Sequence, residues 1–143
     1  MKPEADQILN VSADQLLAAA MSGEGDAYGR GTSALHALLM KFVAREYERG
    51  AEIRAAENRD MRAAFAELAP SAHDLELRSS LEDAAKGNDQ DLSISSLNAS
   101  NAELRRLLIA LHADLEDIGA RGAEARIWLL LQALAARRAL SLF

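Results

Sequence analysis

The sequence predicts an all-α protein, an antiparallel bundle of four to five helices with one long second helix. Composition points there first. Hydrophobic residues fill 50% of the 143 positions but aromatics only 4%, so the core must be built from Leu, Ala and Ile, which suit helices better than strands. Periodicity points there second. From Ile94 to Ile118 a seam of Ile94, Leu97, Asn101, Leu104, Leu108, Leu111, Leu115 and Ile118 alternates three- and four-residue steps, the pattern of a helix made to meet other helices. Its single polar member, Asn101, brings a hydrogen-bonding demand into an apolar contact, which can fix register and partner number. A chain of this length buries roughly two-thirds of its unfolded surface as one domain, 1–143.

The elements follow in order. Val11-Ser12-Ala13-Asp14-Gln15-Leu16 has capping-box spacing and predicts a helix from Ala13 to Met21, stopped by Gly23, with Pro3 to Leu9 as a short turn before it. Gly23 to Gly31 holds four of the eight glycines and reads as a loop. Thr32 or Ser33 then caps a second helix that runs toward Leu68 and is closed by Pro70. Its roughly 36 residues would span ~54 Å, more than the ~35–40 Å breadth of a globule this size. Either it breaks near Gly50 or the bundle is elongated.

Ser71-Ala72-His73-Asp74 opens a shorter helix through Leu75, Leu77, Leu81 and Ala85 to Gly87, and Asn88 to Asp91 is a polar turn. The heptad helix begins near Ser93 and ends at Gly119. After Gly122 a last helix places Ile127, Leu130, Leu131, Leu134 and Leu142 on one broad face. No strand candidate, internal repeat or low-complexity arm emerges.

Charge narrows the partners. The net charge of -6 opposes docking on phosphate backbones or anionic lipid unless basic groups gather on one face. They gather in part: from Ser71 to Gly119 ten acids stand against four bases, whereas beyond it Arg121, Arg126, Arg137 and Arg138 face only Glu124. The simplest use is intramolecular, a basic last helix beside acidic neighbours, and no nucleic-acid partner is expected. Nor is a membrane, because the longest apolar stretch, Ile127 to Ala136, contains Gln132 and falls far short of the ~20 residues a span needs. A polar opening without a secretory signal and the absence of cysteine fit a cytoplasmic protein.

Candidate site residues come from breaks in the apolar pattern. The face set by Leu35, Leu38, Leu39, Phe42 and Val43 thins to Glu46, Gly50, Ile53 and Glu57 before recovering at Met61, Phe65 and Leu68. Glu46 and Glu57 are therefore candidates for a buried polar network, with Arg137 and Arg138 as the cations that would offset the cost of burial. The simpler alternative is a rotation or kink at Gly50 that leaves both acids in solvent.

No chemistry-bearing motif accompanies them. Carboxylate-bridged metal bundles need Glu-x-x-His pairs, which are missing, and His36, His73 and His112 lie on three different predicted helices. His112 and Glu116 have the spacing of a shared ligand pair, a common chance pattern, and no metal site or cofactor is expected. Gly29-Arg30-Gly31-Thr32-Ser33 leads toward a helix start but lacks a P-loop ending, and Glu24 and Asp26 nearby would repel an anion. Without cysteine or a Gly-x-Ser-x-Gly setting no nucleophile stands out, so no catalytic residue and no enzyme is expected. Trp128, between Ile127 and Leu129, reads as a core or interface anchor.

The stretch Leu97-Asn98-Ala99-Ser100-Asn101-Ala102-Glu103-Leu104 resembles the Leu-Asn-x-x-Asn-x-x-Leu helix of bacterial flagellar export chaperones that hold hook-filament junction proteins. Those chaperones are acidic, cysteine-free helical proteins of similar length that hold a partner's amphipathic helix in a groove. The resemblance covers this one stretch and implies Asn98, Asn101 and Leu104 near such a groove.

The leading functional expectation is a non-enzymatic interaction protein that binds a protein partner or forms a homodimer, with Asn98, Asn101, Leu104 and Leu108 as partner-binding residues. The competing reading of the seam is closure inside its own bundle. A second class is a small-ligand carrier or sensor using Glu46 and Glu57 or the Arg30 segment, and a weaker third is a metal-dependent bundle enzyme using His112 and Glu116.

Overall fold

In the computed structural model, which describes residues 3–23 and 25–139, α1 runs over Ala5–Met21. It starts eight residues before the predicted Ala13. The Glu4 amide donates to the Gln7 side chain at 3.4 Å, so the box forms around Glu4 instead. Ser12 does not start a helix because it costs an interior only a few tenths of a kcal/mol and no Gly or Pro lies between it and Glu4. The helix stops at Ser22, followed by Gly23 at φ +81°, a left-handed conformation that suits glycine.

Helix α2 covers Ala27–Leu68, 42 residues, and passes through Gly50 without a break. Its start also precedes the predicted Thr32 or Ser33. The Asp26 carboxylate accepts from the Gly29 amide at 2.5 Å, the geometry of an N-cap, which offsets part of the ~1 kcal/mol that each of Gly29 and Gly31 costs inside a helix. A 3₁₀ turn at Ala69–Ser71 carries Pro70.

Helix α3 spans Leu75–Lys86, and Asp74, rather than Ser71, caps it by accepting from the Glu76 and Leu77 amides at 2.8 and 3.3 Å. The Asp114 carboxylate in turn accepts from the His73 and Asp74 amides, so this entrance is tied to the next helix. Asp74→Ala is expected to cost about 1 kcal/mol in urea unfolding. A loss within measurement error would show the Asp114 tie to be sufficient.

Helix α4, Ile94–Asp117, is capped by Ser93, and α5, Arg121–Arg137, starts one residue before Gly122. Leu142 of the predicted last-helix face lies outside the described residues. Five α-helices and no strand are present among the described residues, and no helix among them is long and apolar enough to cross a membrane.

The chain falls into two compact units, one ending at Gly50 and one beginning at Ala51. In the first, α1 lies along residues 27–50 of α2, joined by Lys41 to Asp14 at 2.7 Å. Among the described residues its buried hydrophobic side chains are small, Ala13, Ala37 and Ala44.

The second unit is a four-helix bundle of alternating direction. Asn98 meets Arg54 and Arg105 meets Glu57, so residue numbers rise together and α4 runs parallel to residues 51–68 of α2. Arg126 pairs with Glu67 and Arg137 with Asp60, so α5 runs the other way. Helix α3 begins beside Asp114 and ends near Asp89, which Arg62 holds. Met61, Phe65, Leu81, Leu111, Leu115 and Ile127 are fully buried in its core.

Candidate functional site

The six inner seam positions Leu97, Asn101, Leu104, Leu108, Leu111 and Leu115 are all buried, while the end residues Ile94 and Ile118 are exposed. Leu104 and Leu108 belong to the second unit's own core, and Asn101 bonds within that unit. The burial of Asn101, Leu104 and Leu108 agrees with the competing reading of the seam, closure inside its own bundle. A seam spaced for helix contact is consumed here by α2, α3 and α5. Asn98 is exposed and accepts from Arg54 Nε at 2.6 Å.

Around Asn101 the bundle carries a polar network. Glu57 follows the inward row of Ile53, Met61 and Phe65 and has no solvent exposure. Its Oε1 accepts from Arg138 Nε at 2.5 Å, and its Oε2 from Arg138 Nη2 at 2.7 Å, Asn101 Nδ2 at 3.1 Å and Arg105 Nη2 at 3.3 Å. Asn101 Oδ1 accepts from Arg105 Nε, and its amide also donates to Asn58 Oδ1. Asn58 donates onward to Asp89 and to the Leu97 carbonyl, and Arg62 holds Asp89 at 2.9 Å.

Burial pushes the Glu57 carboxyl up, but Arg138, Arg105 and Asn101 together outweigh it and hold the group below its ordinary value of 4.5. Asp89 behaves alike: burial raises it, while Arg62 and Asn58 bring it below 3.8. Both acids are therefore ionised at neutral pH, with acceptor positions already occupied, and neither is poised to exchange a proton there.

The other candidate residues are dispersed. Glu46 lies exposed in the first unit. It sits where the apolar face of α2 is left open. Arg137 is bound to Asp60 at 2.7 Å, so only Arg138 of the adjacent arginines reaches Glu57. Asn58 and Arg105 were not anticipated, though each had a signal: Asn58 adjoins Glu57, and Arg105 lies one turn after Asn101. The Gly29–Ser33 run lies inside α2, and Arg30 donates to the Gly25 carbonyl at 2.6 Å.

His36 and His73 are exposed, and His73 precedes α3 rather than lying on a helix. His112 approaches Glu116 at 3.6 Å and meets the Trp128 ring edge-on, with centroids 5.5 Å apart. Among the described residues no group of three or more His, Cys, Asp or Glu converges as metal ligands would.

One face of the first unit is apolar and exposed. Leu35, Leu39, Val43 and Tyr47, each four residues from the last, are 56%, 52%, 55% and 58% exposed. They form one ridge along the first half of α2. The same face carries Leu38 and Phe42, both half-buried.

Fold and site together define an all-α helical-bundle protein with a closed polar network and an open apolar ridge. No protein-family model, curated protein or solved structure matches the chain.

Proposed function

We propose that this chain is a non-enzymatic protein-interaction module that receives an amphipathic helix along the α2 ridge. The observation that carries the reading is the exposure of Leu35, Leu39, Val43 and Tyr47, four large side chains in register along about 20 Å of helix. Scattered single apolar residues on a surface need no explanation, whereas a contiguous stripe of them fits helix-in-groove binding. The occupied carboxylates of Glu57 and Asp89 favour a structural role for the polar network. A chaperone-like hold on a partner helix would use this ridge, because Asn101 and Leu104 are enclosed by the chain's own helices.

A photocrosslinking residue at position 39 tests the reading in cells. It is expected to trap a protein adduct of defined mass, while the same residue at exposed position 82 on α3 traps none. No adduct at 39, or equal labelling at both, would remove the ridge as a binding face.

A further inference from the structure

We infer that the occupant of the ridge is the ridge of a second copy of this chain, the two α2 helices packing antiparallel about a two-fold axis level with Lys41. The inference rests on the interaction reading above and names its partner. The direction in which the ridge looks comes from helix geometry. Lys41 reaches Asp14 on α1, and Leu39 and Val43 each lie two residues from it. At ~100° per residue they point ~200° away, to the side opposite α1. That side is centred on Lys41, with Leu35 and Leu39 before it and Val43 and Tyr47 after it.

Charge selects among occupants. Between Gly31 and Ala44 the only charged or titratable side chains are His36 and Lys41, and Lys41 is engaged with Asp14 on the other side. From Leu35 to Val43 the ridge thus offers no fixed charge to recruit an oppositely charged partner, the charged residues Arg45, Glu46, Glu48 and Arg49 lying around Tyr47 at its end, and the best complement of that stretch is an equally uncharged apolar face. The chain itself supplies one.

An isologous pairing about position 41 sets Leu35 against Tyr47 and Leu39 against Val43, so every ridge residue meets an apolar neighbour. Parallel packing would instead align the two helix dipoles, which antiparallel packing opposes favourably.

The face is small. Four side chains more than half exposed form a stripe that on pairing stays below the ~1,200 Å² of standard interfaces, the range of weak, reversible association. The first unit also gains what it lacks. A helical hairpin whose buried hydrophobic residues are alanines acquires a layer of Leu, Val and Tyr when two hairpins become four helices.

Sedimentation equilibrium of the full chain from about 1 to about 200 µM tests this. A dimer is expected, and Leu39→Glu, at an exposed position, is expected to weaken it at least ~100-fold with helical circular dichroism unchanged, because symmetry buries the new charge twice. Since the chain has no cysteine, Leu35→Cys mixed with Tyr47→Cys should oxidise to a cross-linked dimer far faster than either variant alone. A monomer throughout the range, a dimer indifferent to Leu39→Glu, or preferential self-linking of Leu35→Cys would each overturn the proposal. A monomer that still traps a different protein through position 39 would do so while leaving the interaction reading standing.

Discussion

Leu108→Asp is expected to abolish the folded second unit. Leu108 is 4% exposed within the cluster of Phe65, Leu104 and Leu111. A carboxylate there has no cation to meet, and the cost of burying it rivals the whole ~5–15 kcal/mol by which a domain is stable. The neighbouring Ile109 is 70% exposed, so Ile109→Asp should change stability by no more than about 0.5 kcal/mol. Circular dichroism and urea titration of the pair make the comparison internally controlled. A Leu108→Asp protein that kept its native spectrum and lost only an associated chain would return the seam to the role of an interface.

Glu57→Ala is expected to destabilise by about 2–4 kcal/mol. It leaves a cavity and takes acceptors away from Asn101, Arg105 and Arg138 at once. The two arginines keep part of their solvation, being 40% and 46% exposed, so the loss stays short of a fully stranded ion pair.

The pH dependence has a definite sign. A carboxyl held below its unfolded value stabilises fully above that value and ceases to as pH falls through the folded one. Stability should therefore be level from neutrality to about pH 5 and decline below it, and Glu57→Gln should remove part of the decline. The remainder belongs partly to Asp89, lowered in the same direction by Arg62 and Asn58 against its burial. An identical acid limb in wild type and Glu57→Gln would show that Glu57 carries no such linkage.

The helical class and the heptad helix were legible because spacing alone dictates them: Ser93 caps α4 and Gly119, at φ +66°, follows its end, as predicted. Starts of α1 and α2 were less so. Ser12 and Thr32 look like caps, yet a cap-competent residue sits comfortably inside a helix when a better start exists upstream, at Glu4 and Asp26.

The site divides the same way. That Glu57 belongs to an inward row can be read from Ile53, Met61 and Phe65 around it. Of its partners, Arg138 was named with Arg137 from the basic end of the last helix, whereas Arg105, 48 residues away, is delivered only by how α4 packs on α2. Glu46 sits on the same thinning face but before Gly50, in the first unit, where it is exposed. The Leu35 to Val43 stripe was visible as amphipathic, and amphipathicity cannot distinguish a face that is covered from one that waits to be.

The distribution of aromatic rings has a practical consequence. The chain's one indole, Trp128, resides in the second unit, and its two phenols, Tyr28 and Tyr47, both reside in the first. Each half of the molecule thus carries its own native chromophore. Emission excited at the red edge follows the Ala51-onward half alone, while phenol signals follow the other, with Tyr47 seated on the ridge itself. Heating or titrating the unlabelled protein while recording both colours reads the two halves independently.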